Sequence, residues 1–330
     1  MAWRLGALIL ALFLCAPPAL RAEEKEAATM AVPSFSLSFS LGYLAEDLGY
    51  FAKEGLAVKQ LELQGLAAIN AVISGSADFA EPSAASLTRA AAKGQRLLGI
   101  AELTSRPFVQ LVMRKEAVAG FDAKAPLAQR ALALKGKVIG VDSVNSVVHA
   151  YVRLIAKAGG YDPEAIRFAF MAPTSLIASY DTKQIDGFAM TPPWPEKPLL
   201  EGSAVMVASG PDGDPAYAAF ANTVLLTRPE VCEKRAGLCE KMGRAFAAAA
   251  VAIRDEPDKA LAALQKRFST LDPKLMAVSF EVLRKITPVP PALSAAALEN
   301  VEQFNIDAGL LKPGEKLKSY DGIFTDKYVR

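Results

Sequence analysis

Four short segments gather hydroxyls, amides and acids at spacings suited to holding a small molecule. They are Ser34-Phe35-Ser36-Leu37-Ser38-Phe39-Ser40, Glu81-Pro82-Ser83-Ala84, Asp142-Ser143-Val144-Asn145-Ser146 and Thr191-Pro192-Pro193-Trp194. Each follows a strand-like run and precedes a helical one. Backbone N–H groups and hydroxyls there can face a ligand with the positive end of a helix behind them. In the first segment Ser34, Phe35 and Ser38 are the candidate contacts, although its alternation also suits a half-buried strand. Glu81 would suit a ligand amine or hydroxyl and repel a bare anion, and Ser83 doubles as a helix cap. Ser143, Asn145 and Ser146 could clamp a ligand from a second helix start. Consecutive prolines deny the fourth segment N–H donors, which leaves the indole of Trp194 as an aromatic wall or donor, or as a core residue.

The same residues argue against catalysis. His149 is the only histidine, and no Ser-His-Asp or Cys-His set is evident around it. A metal site wants about three or four clustered ligands, so neither a metal nor a cofactor is expected, and His149 reads as a surface or packing residue.

The elements that must position these loops follow an α/β rhythm. Residues 29–33 read as a strand, and Leu41, Leu44, Ala45 and Leu48 fall on one helix face, closed by Gly49. Residues 57–63 alternate as a strand, 66–73 return to helical spacing, and Ala77–Glu81 is a short strand. Ser83 caps a helix to Lys93, and Arg96–Glu102 is the next strand. A second unit repeats the pattern: strand 137–141, helix 146–158, strand 167–171, helix 175–181, strand 187–190. From Pro229 the chain is helical and Ala-rich, with Pro288-Val289-Pro290-Pro291 as a linker. Tyr320, Phe324 and Tyr328 form a stripe that docks the tail.

Residues 1–22 hold Arg4, an apolar run from Leu5 to Ala16, Pro17-Pro18 and a small Ala22 before acidic residues. This is the pattern of a secretory signal peptide cleaved after Ala22; the run is shorter than the ~20 residues a membrane span needs. Loss of Arg4 and Arg21 would leave 35 basic residues against 35 acidic ones. A neutral chain without a basic block offers no footprint for nucleic acid or anionic membrane. A chain of this length is expected to form two lobes. The remaining cysteines, Cys232 and Cys239, read as one disulfide in an oxidising space, or alternatively as two thiols. A continuous helix would hold them ~10 Å apart, so a disulfide requires a bend, and Gly237 is the expected place.

Three segments in order then resemble the solute-binding proteins of nitrate/sulfonate/taurine ABC importers, a family sharing its fold with the thiamine-pyrimidine synthesis proteins. They are Gly42-Tyr43-Leu44 through Gly49-Tyr50-Phe51-Ala52-Lys53-Glu54-Gly55-Leu56, then Ala71-Val72-Ile73-Ser74-Gly75-Ser76-Ala77-Asp78-Phe79, then Leu134-Lys135-Gly136-Lys137-Val138-Ile139-Gly140-Val141. The resemblance implies an α/β type II periplasmic binding protein: two lobes, a ligand cleft and two crossing strands near Ser105–Phe108 and Ala219–Thr223. Lobe one is then residues 27–106 plus 222–330, and lobe two is 107–221. At the crossings, Arg106 could pair a ligand carboxylate or form a hinge ion pair, and Asn222 is a further candidate.

The Asp142–Ser146 loop departs from the Gly-rich version common in sulfonate binders, which argues against close backbone approach to a small oxyanion. The resemblance implies a monomeric periplasmic receptor that passes a small organic solute to an inner-membrane ABC permease and its ATPase. Two alternatives are a pyrimidine-synthesis-like enzyme and an exported sensor for a membrane kinase. The enzyme is disfavoured because the chain lacks that family's Cys-rich motif.

Overall fold

The computed structural model describes residues 25–330 apart from Ala218; the leader expected over residues 1–22 lies outside the described residues. The chain opens with β1 (Glu26–Val32), α1 (Ser40–Asp47), α2 (Tyr50–Lys53), β2 (Leu56–Glu62), α3 (Leu66–Ser74), β3 (Phe79–Ala80), α4 (Ala84–Ala92) and β4 (Leu98–Ser105). It continues through β5 (Gln110–Arg114), α5 (Leu127–Ala131), β6 (Val138–Val141), α6 (Val147–Ala158), β7 (Arg167–Phe170), α7 (Pro173–Asp181), β8 (Gly187–Met190), α8 (Glu196–Leu200) and β9 (Ala204–Ser209). Last come β10 (Ala221–Thr227), α9 (Pro229–Lys234), α10 (Ala236–Asp255), α11 (Pro257–Arg267), α12 (Pro273–Ile286) and α13 (Ala295–Asp307).

Two five-stranded mixed sheets result, ordered β2-β1-β3-β10-β4 and β7-β6-β8-β5-β9. The strand that enters each sheet by a crossing is inserted into its interior: β10 runs antiparallel between β3 and β4, and β5 runs antiparallel between β8 and β9. Helices cover both faces. Leu44, Phe51, Phe246, Leu264 and Phe280 fill one side of the first sheet, while Ile69, Leu87 and Phe304 belong to the core on its other side. Near-continuous burial of β4 and β10 is the pattern expected of strands covered on both faces.

The crossings are bonded to each other. Arg106 N–H donates to Phe220 C=O at 2.9 Å, and beside the first crossing Gly210 N–H, following β9, donates to Val109 C=O at 2.9 Å. Gly210 is required there, since a Cβ would stand 2.0 Å from Pro107 O. The C-terminal tail covers the exposed edge of β4, with Gly99 N–H donating to Ile323 C=O at 2.8 Å and Thr325 N–H to Gly99 C=O at 2.9 Å. An edge strand left bare would invite pairing with another chain.

Cys232 and Cys239 are joined, with Cα atoms 5.5 Å apart. The bend that permits this is at Arg235 (φ −131°, ψ 57°), between α9 and α10, and not at Gly237, which continues α10. Arg235 is held at the break by ion pairs to Glu26 at 3.0 Å and Asp78 at 3.3 Å. Among the described residues, no helix is long and apolar enough to cross a membrane.

Candidate ligand-binding site

The four loops lie at the carboxyl ends of β1, β3, β6 and β8, the edge at which open α/β sheets hold ligands. Loops from the two halves touch there. Ser36 Oγ and Thr191 Oγ1 stand 3.3 Å apart, although these residues are far apart in sequence and belong to different sheets.

Around this contact the first half contributes a packed set. Ser36 Oγ accepts from Ser38 N–H at 3.2 Å, and both serines are buried. Ser34 turns its carbonyl to the Tyr43 hydroxyl at 3.1 Å. Phe35 remains 46% exposed and stacks on Phe268 with centroids 4.2 Å apart. Arg267 lies over Tyr43 at 4.7 Å while pairing with Asp47 at 2.6 Å. The aromatic side of the loop is thereby fixed to α1 and α11.

Glu81, immediately after β3, is fully buried, and burial pushes its carboxyl well above the usual range. Ser83 caps α4 by accepting from Ser86 N–H at 3.2 Å and bridges to Thr223. Beside Thr223, Asn222 donates to Thr104 Oγ1 and Thr223 Oγ1, each at 3.1 Å. Glu81, Ser83 and Asn222 therefore share one region of the first half.

In the second half Asp142 takes the position after β6. Its Oδ1 accepts from Ser143 N–H at 2.8 Å and from the Ser146 hydroxyl. Burial raises its pKa and these two donors oppose the shift. Ser143 and Asn145 are exposed, Asn145 adopts φ 59°, and its N–H donates to His149 Nδ1 at 3.1 Å. His149 is buried edge-on against Phe168 and Phe170, and burial lowers its pKa. Trp194 is half-buried against the core formed by Leu176, Tyr180 and Phe188.

Arg106 is not brought to this group. It is exposed, sits at φ 62° on the first crossing and donates to Pro211 C=O at 3.0 Å. It lines a small pocket with Gly210, Asp212 and Tyr217 on the hinge.

Two further buried residues carry no distinct signal in the sequence. Gln110 opens β5, and its Oε1 is buried without a partner. Glu196, at the start of α8, is 3% exposed with both oxygens unpartnered. Burial pushes it up to about 7, opposed first by its own backbone N–H and then by the nearby Gln110 side chain. The available signal, an acid opening a helix after Trp194-Pro195, reads as dipole compensation. Among the described residues there is no group of three or more His, Cys, Asp or Glu placed to hold a metal.

The sequence matches the NMT1/THI5 like family over residues 37–260. No curated protein matches it. Among solved structures, the periplasmic aliphatic sulphonate binding protein SsuA of Escherichia coli is 17% identical with a TM-score of 0.68, covering 89% of this chain and 92% of that one. The alkanesulfonate-binding protein SsuA of Xanthomonas axonopodis pv. citri, bound to MOPS, is 18% identical with a TM-score of 0.70, covering 92% and 100%. The periplasmic nitrate-binding protein NrtA of Synechocystis PCC 6803 is 15% identical with a TM-score of 0.64, covering 89% and 84%. With a family match over more than half its length and two sheets joined by two crossings, the chain belongs to the NMT1/THI5 like family and has the two-lobed periplasmic binding protein fold.

Proposed function

We propose that this chain is the periplasmic solute-binding receptor of an ABC importer. Lobe one, residues 27–106 plus 222–330, and lobe two, residues 107–221, close on a small organic solute. The receptor then presents the solute unaltered to an inner-membrane permease and its ATPase. It works as a monomer, exported by the cleaved leader.

The observation that carries this reading is the contact of strand-end loops across the cleft, Ser36 to Thr191 at 3.3 Å. Ligand binding favours such a closed state by differential affinity, and bonded crossings supply the pivot. Ser34, Ser38, Glu81, Ser83 and Asn222 contact the solute from lobe one, with Ser143, Asn145, Ser146 and Trp194 opposing them. Phe35 and Arg106 act from the rim and hinge. The fold-mates are named for the sulfonates and nitrate they bind, which supports capture over conversion.

The test uses protein purified from the periplasm without refolding. Heat-released compounds are identified by mass spectrometry and rebound while small-angle scattering is recorded. One compound per chain, recovered unaltered and accompanied by a smaller radius of gyration, is expected. Conversion of the compound during incubation, or an unchanged radius, would overturn the reading.

A further inference from the structure

Glu81 differs from the other acids at the strand ends in being completely enclosed with no side-chain donor on either carboxylate oxygen, the Gly42 backbone N–H being the one group directed at it. Its surroundings explain the lack of side-chain donors. The first turns of α1 come against the acid because residue 42 is glycine: a Cβ there would stand 2.5 Å from Oε1 and 3.0 Å from Oε2. The nearby hydroxyls are engaged elsewhere. Tyr43 donates to Ser34 C=O at 3.1 Å and Ser40 to Leu37 C=O at 2.7 Å. Ser36 lies within 3.3 Å of both Ser38 Oγ and Thr191 Oγ1, and Ser83 pairs with Ser86 at 3.0 Å. A buried acid with a single backbone N–H turned toward it is destabilising on its own, and this is offset by a partner that arrives with N–H groups or positive charge.

Resting on the receptor reading above, we infer that Glu81 is the specificity determinant of the cleft and that the solute is a nitrogen base, an amine or amidine, whose N–H groups satisfy both carboxylate oxygens. A sulfonate, carboxylate or nitrate would bring acceptors and negative charge to a place that already holds both. The one route open to an oxyanion is a protonated Glu81 donating a single hydrogen bond. A glutamine can also donate that bond, so the two cases separate by substitution.

The experiment measures binding of benzamidine, agmatine and butylamine, and of ethanesulfonate, benzoate and nitrate, to the mature chain and to Glu81→Gln. Calorimetry gives affinity, and scattering reports lobe closure. At least one amine or amidine should bind the wild type saturably, and its affinity should fall about tenfold or more in the variant, with circular dichroism unchanged. Should Glu81→Gln fail to fold, Glu81→Asp, with the same charge and a shorter reach, is expected to show a comparable loss.

The inference is overturned if no amine or amidine binds, if one binds wild type and variant equally, or if an oxyanion closes the lobes of the wild type, whether Glu81→Gln keeps or loses that binding. Oxyanion binding with closure would remove this inference and leave the receptor reading intact. Failure of every compound to close the lobes would count against both.

Discussion

Glu81 and Asp142 occupy matching places in the two lobes, each one residue past a parallel strand and just ahead of a serine-capped helix. Asp142 is satisfied inside its own loop by Ser143 and Ser146. Glu81 is buried more completely and has no side-chain donor, only the backbone N–H of Gly42 turned toward it. Similar topology thus yields a self-contained turn in lobe two and an acid that needs an outside partner in lobe one. An acid at a strand end is informative about a ligand only once its local donors have been counted.

The contrast can be broken most strongly with pH. Burial pushes Glu102 in lobe one up to about 8 and Glu196 in lobe two up to about 7, and raises Glu81 in the same direction. A carboxyl whose folded value is raised keeps a proton that the unfolded chain has released. Stability should therefore be fullest below the ordinary value of 4.5 and fall as pH rises through 7 and 8, by on the order of 3–5 kcal/mol each for Glu102 and Glu196. Denaturant titrations of the unliganded protein at several pH values check this, and Glu102→Gln or Glu196→Gln should each flatten the decline.

Gly42→Ala comes next. In an open helix alanine would stabilise by about 0.5–1 kcal/mol, but against Glu81 it should cost about 1–3 kcal/mol. Adding Glu81→Ala should return most of that loss. Breaking the disulfide with paired Cys232→Ser and Cys239→Ser should lower stability by about 2–3 kcal/mol, measured by urea unfolding. Asp142→Ala should cost about 1.5–3 kcal/mol through its charged hydrogen bonds, whereas Glu81→Gln should leave the unliganded melting temperature unchanged or higher. The smallest effect expected is that of Ser36→Ala, which should weaken closure by about 0.5–1.5 kcal/mol, read as a shift in solute affinity with little change in melting temperature.

Much of lobe one was legible because its signals are local. Leu41, Leu44, Ala45 and Leu48 mark the helix face, Gly49 and Gly75 lie at φ 75° and 85° where a left-handed turn is needed, and Ser83 does cap α4. β5 and β9 carry no strand signal in the local sequence, and β10 shows one only at its start. Their neighbours in the sheets come from distant sequence, and their burial is decided by packing that no local period records. The bend falls at Arg235 and not at the expected Gly237 for a related reason. Ion pairs to Glu26 and Asp78 fix it, and both partners are more than 150 residues away.

The candidate site was legible by residue type and less so by role. The sequence singled out Glu81 and placed Asp142 only as the first residue of the Asp142–Ser146 loop, and side-chain geometry shows that Asp142 is satisfied by side-chain and backbone donors of its own loop while Glu81 is not. Arg106 illustrates the converse: its type suits a carboxylate, yet its backbone bond to Phe220 and its contact with Pro211 hold it on the hinge.

The most direct test of the whole account is a crystal structure of the chain purified from the periplasm without refolding, with its solute retained. The account predicts density for one intact small molecule between the Ser34–Ser40 and Thr191–Trp194 loops, with N–H donors on both oxygens of Glu81. Density for a solute placed elsewhere, with Glu81 still unpartnered, would contradict it.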